Sequence, residues 1–322
     1  MKRLFLYLLV LVTVFTSALT ADIGTADAKA KVKGKAKVSS TATIDMDKLI
    51  GAEIGAVTAE YGKQQRIDPS EYGFDWYVFN KDYNRFMMVG VDGGKVVAAY
   101  CNSEYLLSQN YVTVGMTRTK VRSKFGDPVT TIRSGNTIYV FPNTDKKDIY
   151  LIDGYYVYVY YDVFNSYKVT SVLEIKKDYE DKMIGHTVKL NSALTDAYSA
   201  QSVDLVNSIR ARNGLSTLSY FGQAASLAEY RSKDMRDRDY FSHYTPEGRS
   251  PAYFARKRGM KYRTLCENIA CGHRNAISAF EAFMNSRGHR KNILYNIKQI
   301  GVGTVSGGDR SVIVTYILLT KK

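Results

Sequence analysis

Four histidines occur in the 322 residues, and two of them sit where chemistry could be done. His243 ends the run Tyr240-Phe241-Ser242-His243, and His289 lies within Gly288-His289-Arg290-Lys291-Asn292. An imidazole titrates near neutral pH, moves protons and binds metals. Between the two lies Glu267, which opens Glu267-Asn268-Ile269-Ala270. A carboxylate there could orient an imidazole, ligate a metal or serve as a base. His243, Glu267 and His289 together offer three N/O ligands, the number found in an open zinc site. No cofactor is demanded by the sequence, and a divalent metal such as zinc is the one these three residues would suit. Their long separations fix no geometry. There is no HExxH helix pair, so that form of zinc-protease chemistry is unsupported. No Ser or Cys nucleophile motif points to covalent catalysis. Cys266 and Cys271 lie close to Glu267, as soft ligands or as small packing residues. A Cys266–Cys271 bridge is left open. His186 and His273 lie in polar stretches and read as solvated.

The elements that must position these residues are legible from periodicity. A helix begins near Asn191 or Thr195, and Tyr198, Leu205, Val206 and Ile209 form its apolar face. Gly214 closes it. A second helix covers Gln223 to Asp237, with Ala224, Leu227, Ala228 and Met235 turned to a core. Further helices are expected near Pro251 to Arg258 and Ala276 to Ser286. Ile300-Gly301-Val302-Gly303 and Val312 to Leu319 read as closing strands.

The ordered motifs FSH, ENIA, MNSRGHRKNIL and IGVG, from Leu205 to the C-terminus, resemble the bacterial branch of the CAP superfamily. That superfamily includes cysteine-rich secretory proteins, antigen 5 and plant pathogenesis-related proteins. The resemblance implies an α–β–α sandwich with a central antiparallel sheet and a surface cleft. Eukaryotic relatives carry two histidines and two glutamates in that cleft. His243, Glu267 and His289 resemble three of the four, and the second glutamate falls at Ser286. Arg290 and Asn292, beside His289, complete the expected cleft residues. The usual glycine before ENIA is Cys266, and the usual tryptophan is Phe283. The missing glutamate favours a binding module over an enzyme.

The middle of the chain shows a weak internal repeat, with units at about 45–110 and 111–177. Each has a Gly-containing turn, a short helix and strands. Tyr61-Gly62-Lys63 matches Phe125-Gly126-Asp127, and Tyr77-Val78-Phe79 matches Tyr139-Val140-Phe141. Asp92-Gly93-Gly94 and Asp153-Gly154 are hairpin signals. The run Tyr155 to Tyr161 has strong strand propensity. The expected fold class is α+β, with two repeated units on antiparallel sheet preceding the C-terminal sandwich. The stretch Asp68-Pro69-Ser70-Glu71-Tyr72-Gly73-Phe74-Asp75-Trp76-Tyr77 resembles the N-terminal domain associated with bacterial CAP proteins, over residues 45–177. Trp76 and the tyrosines read first as buried sheet aromatics, and second as a binding face. Residues 178–194 read as a polar connector and 195–322 as the CAP domain.

The N-terminus reads as an export signal over residues 1–28. Lys2 and Arg3 precede the apolar run Leu4 to Leu19, and small residues follow. Residues 29–44 read as a flexible basic linker. No later segment is apolar enough to span a bilayer. The net charge is +14, and from Thr195 onward 20 Lys and Arg face 10 Asp and Glu. A basic exported domain suits an anionic cell-wall polymer. Nucleic acid is not expected. The sequence thus predicts a secreted or wall-associated protein that binds a wall polymer, peptide, lipid or divalent metal through the His243/Glu267/His289 cleft. A His- and Glu-dependent hydrolase acting on peptide or peptidoglycan is the alternative.

Overall fold

A computed structural model describes residues 43–109, 111–134, 137–140, 145–186, 188, 190–307 and 312–322. The expected signal, 1–28, and all but the last two residues of the expected linker lie outside the described residues.

The chain enters through β1 (Ile44–Asp45), α1 (Met46–Leu49) and α2 (Ile54–Tyr61). Strands β2 (Arg66–Pro69), β3 (Asp75–Phe79), β4 (Met87–Asp92), β5 (Lys95–Cys101) and β6 (Leu106–Leu107) follow. After α3 (Arg118–Phe125) come β7 (Thr131–Ser134), β8 (Thr137–Val140), β9 (Lys147–Ile152), β10 (Tyr155–Asp162) and β11 (Lys168–Lys176). Both predicted hairpins form. Gly93 and Gly94 take positive φ between β4 and β5, as Asp153 and Gly154 do between β9 and β10. That double left-handed turn matches the twist of paired strands.

Both units contribute to one seven-stranded antiparallel sheet, in the order β2-β3-β4-β5-β11-β10-β9. The units join where β5 pairs with β11. The strand match expected at Tyr77 and Tyr139 differs. Tyr77 lies in β3 of the large sheet, whereas Tyr139 lies in β8, which pairs with β7 alone. Phe141 is outside the described residues. The strand beside β10, as β3 is beside β4, is β9. Ile138 and Val140 stay exposed, so β8 has no apolar face to bury in the sheet.

Along β10, tyrosines alternate between two cores, as a period of two requires. Val157, Val159 and Tyr161 enter the core beneath α1, α2 and α3. Tyr156, Tyr158 and Tyr160 join Phe74, Trp76 and Tyr100 on the other face. That aromatic face is buried, not displayed. Its cover is the second half of the chain, through Leu194, Tyr198, Phe280 and Phe283.

The stretch read as a polar connector is largely helical. α4 (Lys177–Met183) follows β11 directly. Tyr179 and Met183 pack on the aromatic core, and buried Glu180 meets Arg274 at 2.5 Å. α5 (Ser192–Arg212) begins where Asn191 Oδ1 accepts from the Leu194 N–H, an N-cap bond. The rest of the second half is β12 (Ser219–Tyr220), α6 (Gly222–Asp237), α7 (Pro251–Lys257), β13 (Tyr262–Cys271), α8 (Ala276–Met284), α9 (Arg287–Leu294), β14 (Gln299–Ser306) and β15 (Val312–Lys321).

These strands form a four-stranded sheet in the order β12-β14-β15-β13. β14, β15 and β13 are antiparallel, and β12 joins the edge in parallel. β15 is apolar on both faces because helices cover both. Val314, Tyr316 and Leu318 meet α5 and α8, while Ile317 and Leu319 meet α6 and α7. This is the expected α–β–α sandwich. β13 is its edge strand.

The domains are also joined by polar contacts. Asp204 of α5 accepts from Arg66 at 2.7 Å, Asn80 at 2.7 Å and Tyr83 at 2.8 Å. Glu281 of α8 accepts from Ser171 at 2.5 Å and from Tyr100 at 3.3 Å.

Candidate functional site

The site is built around edge strand β13. Side chains alternate along it, so Glu267 faces the α6 side and Asn268 the α9 side. Glu267 sits opposite Ile317, whose side chain packs beneath α6. Asn268 sits opposite Tyr316, which stacks edge-on with Phe283 of α8 at 4.8 Å.

His243 approaches Glu267 from the loop after α6. Its Nδ1 lies 2.9 Å from Glu267 Oε1. A carboxylate can only accept there, so Nδ1 holds the proton and Nε2 of the neutral ring keeps its lone pair. The ring is 44% exposed while the Glu267 side chain is 2% exposed. The other oxygen, Oε2, accepts from Arg231 Nε at 3.0 Å. Arg231 is fully buried and also donates to Tyr240 Oη at 2.7 Å and to the Ser242 carbonyl at 2.9 Å. One guanidinium therefore fixes both the carboxylate and the Tyr240–Ser242 loop segment that carries His243.

His289 arrives on α9, one turn into the helix. Its ring packs edge-on against Phe283 at 4.9 Å and stands 6.4 Å from the His243 ring. Burial, together with the nearby charge of His243, pushes its pKa down to about 4. His289 is thus neutral at pH 7. Asn268 Nδ2 donates to the His289 carbonyl at 3.1 Å, and Asn292 Nδ2 donates to Asn268 Oδ1 at 2.9 Å. Asn292 holds α9 to β13 in this way.

The remaining expected residues fall elsewhere. Ser286 is the N-cap position of α9, and its side chain makes no cap bond. Arg290 turns away from the cleft to Asp162 of the N-terminal sheet, at 2.7 Å. His273 is not solvated. It is half-buried, and burial beside Lys147 and Lys146 pushes its pKa down to about 4. His186 is exposed. Cys101, Cys266 and Cys271 are free thiols. Cys266 and Cys271 lie five positions apart on one strand, roughly 16 Å along it, too far for a bridge. Burial pushes the Cys266 thiol up, with Lys291 pulling it the other way.

Arg231 is the residue that the motif reading passed over. It had a signal: Ala224, Leu227, Ala228, Arg231 and Met235 share one helical face. A cation on an apolar face requires a buried acceptor.

As a metal centre the donor set is short. Both oxygens of Glu267 are taken by protein donors, which leaves two imidazoles. No group of three or more His, Cys, Asp or Glu is gathered for a metal among the described residues. The three residues proposed as zinc ligands meet, but as an Arg231–Glu267–His243 chain with His289 alongside. They do not fit a three-ligand site.

The fold and this cleft define a CAP-type protein. Residues 203–319 match the model of the cysteine-rich secretory protein family, and residues 50–185 match that of the CAP-associated N-terminal region. The chain carries a CAP domain and, before it, the CAP-associated N-terminal domain. It is 25% identical over 273 residues to a Bacillus subtilis protein described as uncharacterized membrane protein YlbC, covering 79% of each chain. It is 41% identical over 114 residues to B. subtilis YkwD, covering 35% of this chain and 44% of that one. Among solved structures, it resembles an extracellular protein containing a SCP domain from Bacillus anthracis. That match has a TM-score of 0.75 and 26% identity, over 90% of this chain and 100% of the other. A cysteine-rich secretory protein from Staphylococcus aureus shares the fold, with a TM-score of 0.70 at 18% identity over 85% and 92% of the two chains.

Proposed function

We propose that this chain is an exported envelope-binding protein whose cleft receives a polar glycan or peptide group of the wall. One observation carries the reading: both oxygens of Glu267 are committed, to Arg231 and to His243. The cleft therefore offers two imidazoles and no free carboxylate. With Nδ1–H given to Glu267, His243 presents Nε2 alone, while the neutral His289 ring has one nitrogen donor and one acceptor, a set suited to hydroxyls and amides. The apolar run Leu4 to Leu19 behind Lys2 and Arg3 supports export, as does the likeness to an extracellular protein. The basic second half supports an anionic surface as the setting. The test is sedimentation of the chain with purified cell walls. His243→Ala with His289→Ala is expected to weaken binding at least tenfold. Unchanged binding would refute the cleft as the site.

Hydrolysis is the second reading. His243, oriented by Glu267 at 2.9 Å, has the base-and-orienter arrangement of general-base catalysis. Turnover of wall peptides by the wild type and its loss in His243→Ala would favour it.

A further inference from the structure

Outside the cleft, the most pronounced feature is a seam between the domains along α9. Arg287, Arg290, Lys291 and Leu294 follow one another at spacings of three, four and seven from the first. They share one helical face. Against it stand Val163 and Phe164 of the β10–β11 turn, and these six line an open cavity of about 630 Å³.

The seam is firmly held. Asn285 Oδ1 accepts from the Val163 N–H at 3.0 Å, and Asn285 Nδ2 donates to the Tyr161 carbonyl at 2.9 Å. Asp162 accepts from the Phe164 N–H at 2.9 Å with one oxygen and from Arg290 at 2.7 Å with the other. These bonds fix an aromatic ring that remains 40% exposed. The guanidinium groups of Arg287 and Arg290 stand 5.2 and 5.7 Å from its centre. Like charges at these helical spacings repel one another. Asp162 is spent on Arg290. Arg287 and Lys291 are exposed, and neither has a salt-bridge partner among the described residues.

We infer that this seam is a second binding site, for the phosphate groups of a linear phosphodiester polymer. It extends the envelope-binding reading and rests on it only for where the polymer is met. Phosphate is favoured because its oxygens surround one centre, which a guanidinium fork and an ammonium can share from two sides. A planar carboxylate serves one fork at a time. Arg287 and Lys291 are about 6 Å apart along the helix, so a chain with closely repeated charges meets both. The open shape admits a thread-like polymer lying along α9. Phe164 and Leu294 supply an apolar floor for the carbon links.

The test is titration of the full chain with labelled poly(glycerol phosphate), with polyglutamate and phosphatidylglycerol vesicles as the comparison probes. The variants are R287E/K291E, the milder R287Q/K291Q and the cleft pair H243A/H289A. A glutamate at 287 suits the first turn of α9 whereas one at 291 falls in its last turn, so equal unfolding midpoints are required of R287E/K291E and R287Q/K291Q alike. R287E/K291E is expected to weaken polymer binding about tenfold or more and to flatten its salt dependence. R287Q/K291Q should act in the same direction, less strongly. H243A/H289A should stay within about twofold. Polymer binding unaffected by R287E/K291E overturns the seam, and so does binding lost only in the cleft pair. Preference for polyglutamate or vesicles through Arg287 and Lys291 overturns the phosphodiester assignment. Wall binding in the cleft pair is scored separately, so either proposal can fail alone.

Discussion

Arg231 and Glu267 form a buried ion pair, Nε to Oε2 at 3.0 Å, directly beneath the exposed ring of His243. The pair turns a carboxylate that could have been a base or a metal ligand into a support. Arg231→Met should leave that carboxylate buried without its cation, costing about 3–5 kcal/mol. His243→Ala should cost much less, because its ring is half in water. Chemical denaturation measures both. Adding Glu267→Gln to Arg231→Met should recover part of the loss, and strict additivity would argue against the coupling.

His289 should titrate at about 4, far below an ordinary histidine, because its ring is buried against Phe283. Its folded pKa is depressed, so its contribution is present above about pH 6.5 and is lost as pH falls toward 4. Imidazole nitrogen shifts across pH 3.5–8 measure this. A midpoint near 6.5 would mean that the ring is solvated.

Glu281 behaves in the opposite sense. Burial pushes its pKa up to about 7, while the Ser171 hydroxyl and the Arg212 charge pull it down. The native state then holds a proton that the unfolded chain has released. Its stabilisation is present below about pH 4.5 and is lost as pH rises through about 7. Glu281→Gln should therefore gain stability relative to the wild type between pH 5 and pH 8, by more than about 1 kcal/mol. A difference that does not vary with pH would contradict the burial of this carboxyl between the domains.

Gly301 and Gly303 let α6 lie directly on β14. A Cβ at either would come within 2.0 Å of a backbone nitrogen, that of Ala225 or Glu229. Gly301→Ala and Gly303→Ala should each lower stability by about 2–3 kcal/mol or more. Because α6 carries Arg231, each should also disturb the His243 resonances. A variant with unchanged stability would refute the close approach.

Much of this arrangement is legible in the residue pattern, for local reasons. Asn191 caps a helix, Gly93-Gly94 turns a hairpin, and the apolar run of β15 announces a strand buried on both faces. The ordered motifs place His243, Glu267 and His289 in one cleft, where they meet. What the pattern does not carry is contact between distant elements. Arg290 directly follows His289 in sequence, yet a helical rotation sends it to Asp162 in the other domain. His273 lies in a polar stretch but folds beside Lys147. The tyrosines of β10 advertise a sheet without saying that a second domain covers it. β8 repeats the residues of β3 but not its sheet position, because it has no second apolar face.

The account centres on a cleft that binds without turning over its ligand. Purified walls incubated with the chain should be measured for bound protein and for released soluble fragments in the same sample. Saturable binding that falls at least tenfold in H243A/H289A, with no fragments released by the wild type, is the predicted result. Fragments released by the wild type and absent with H243A/H289A would contradict it.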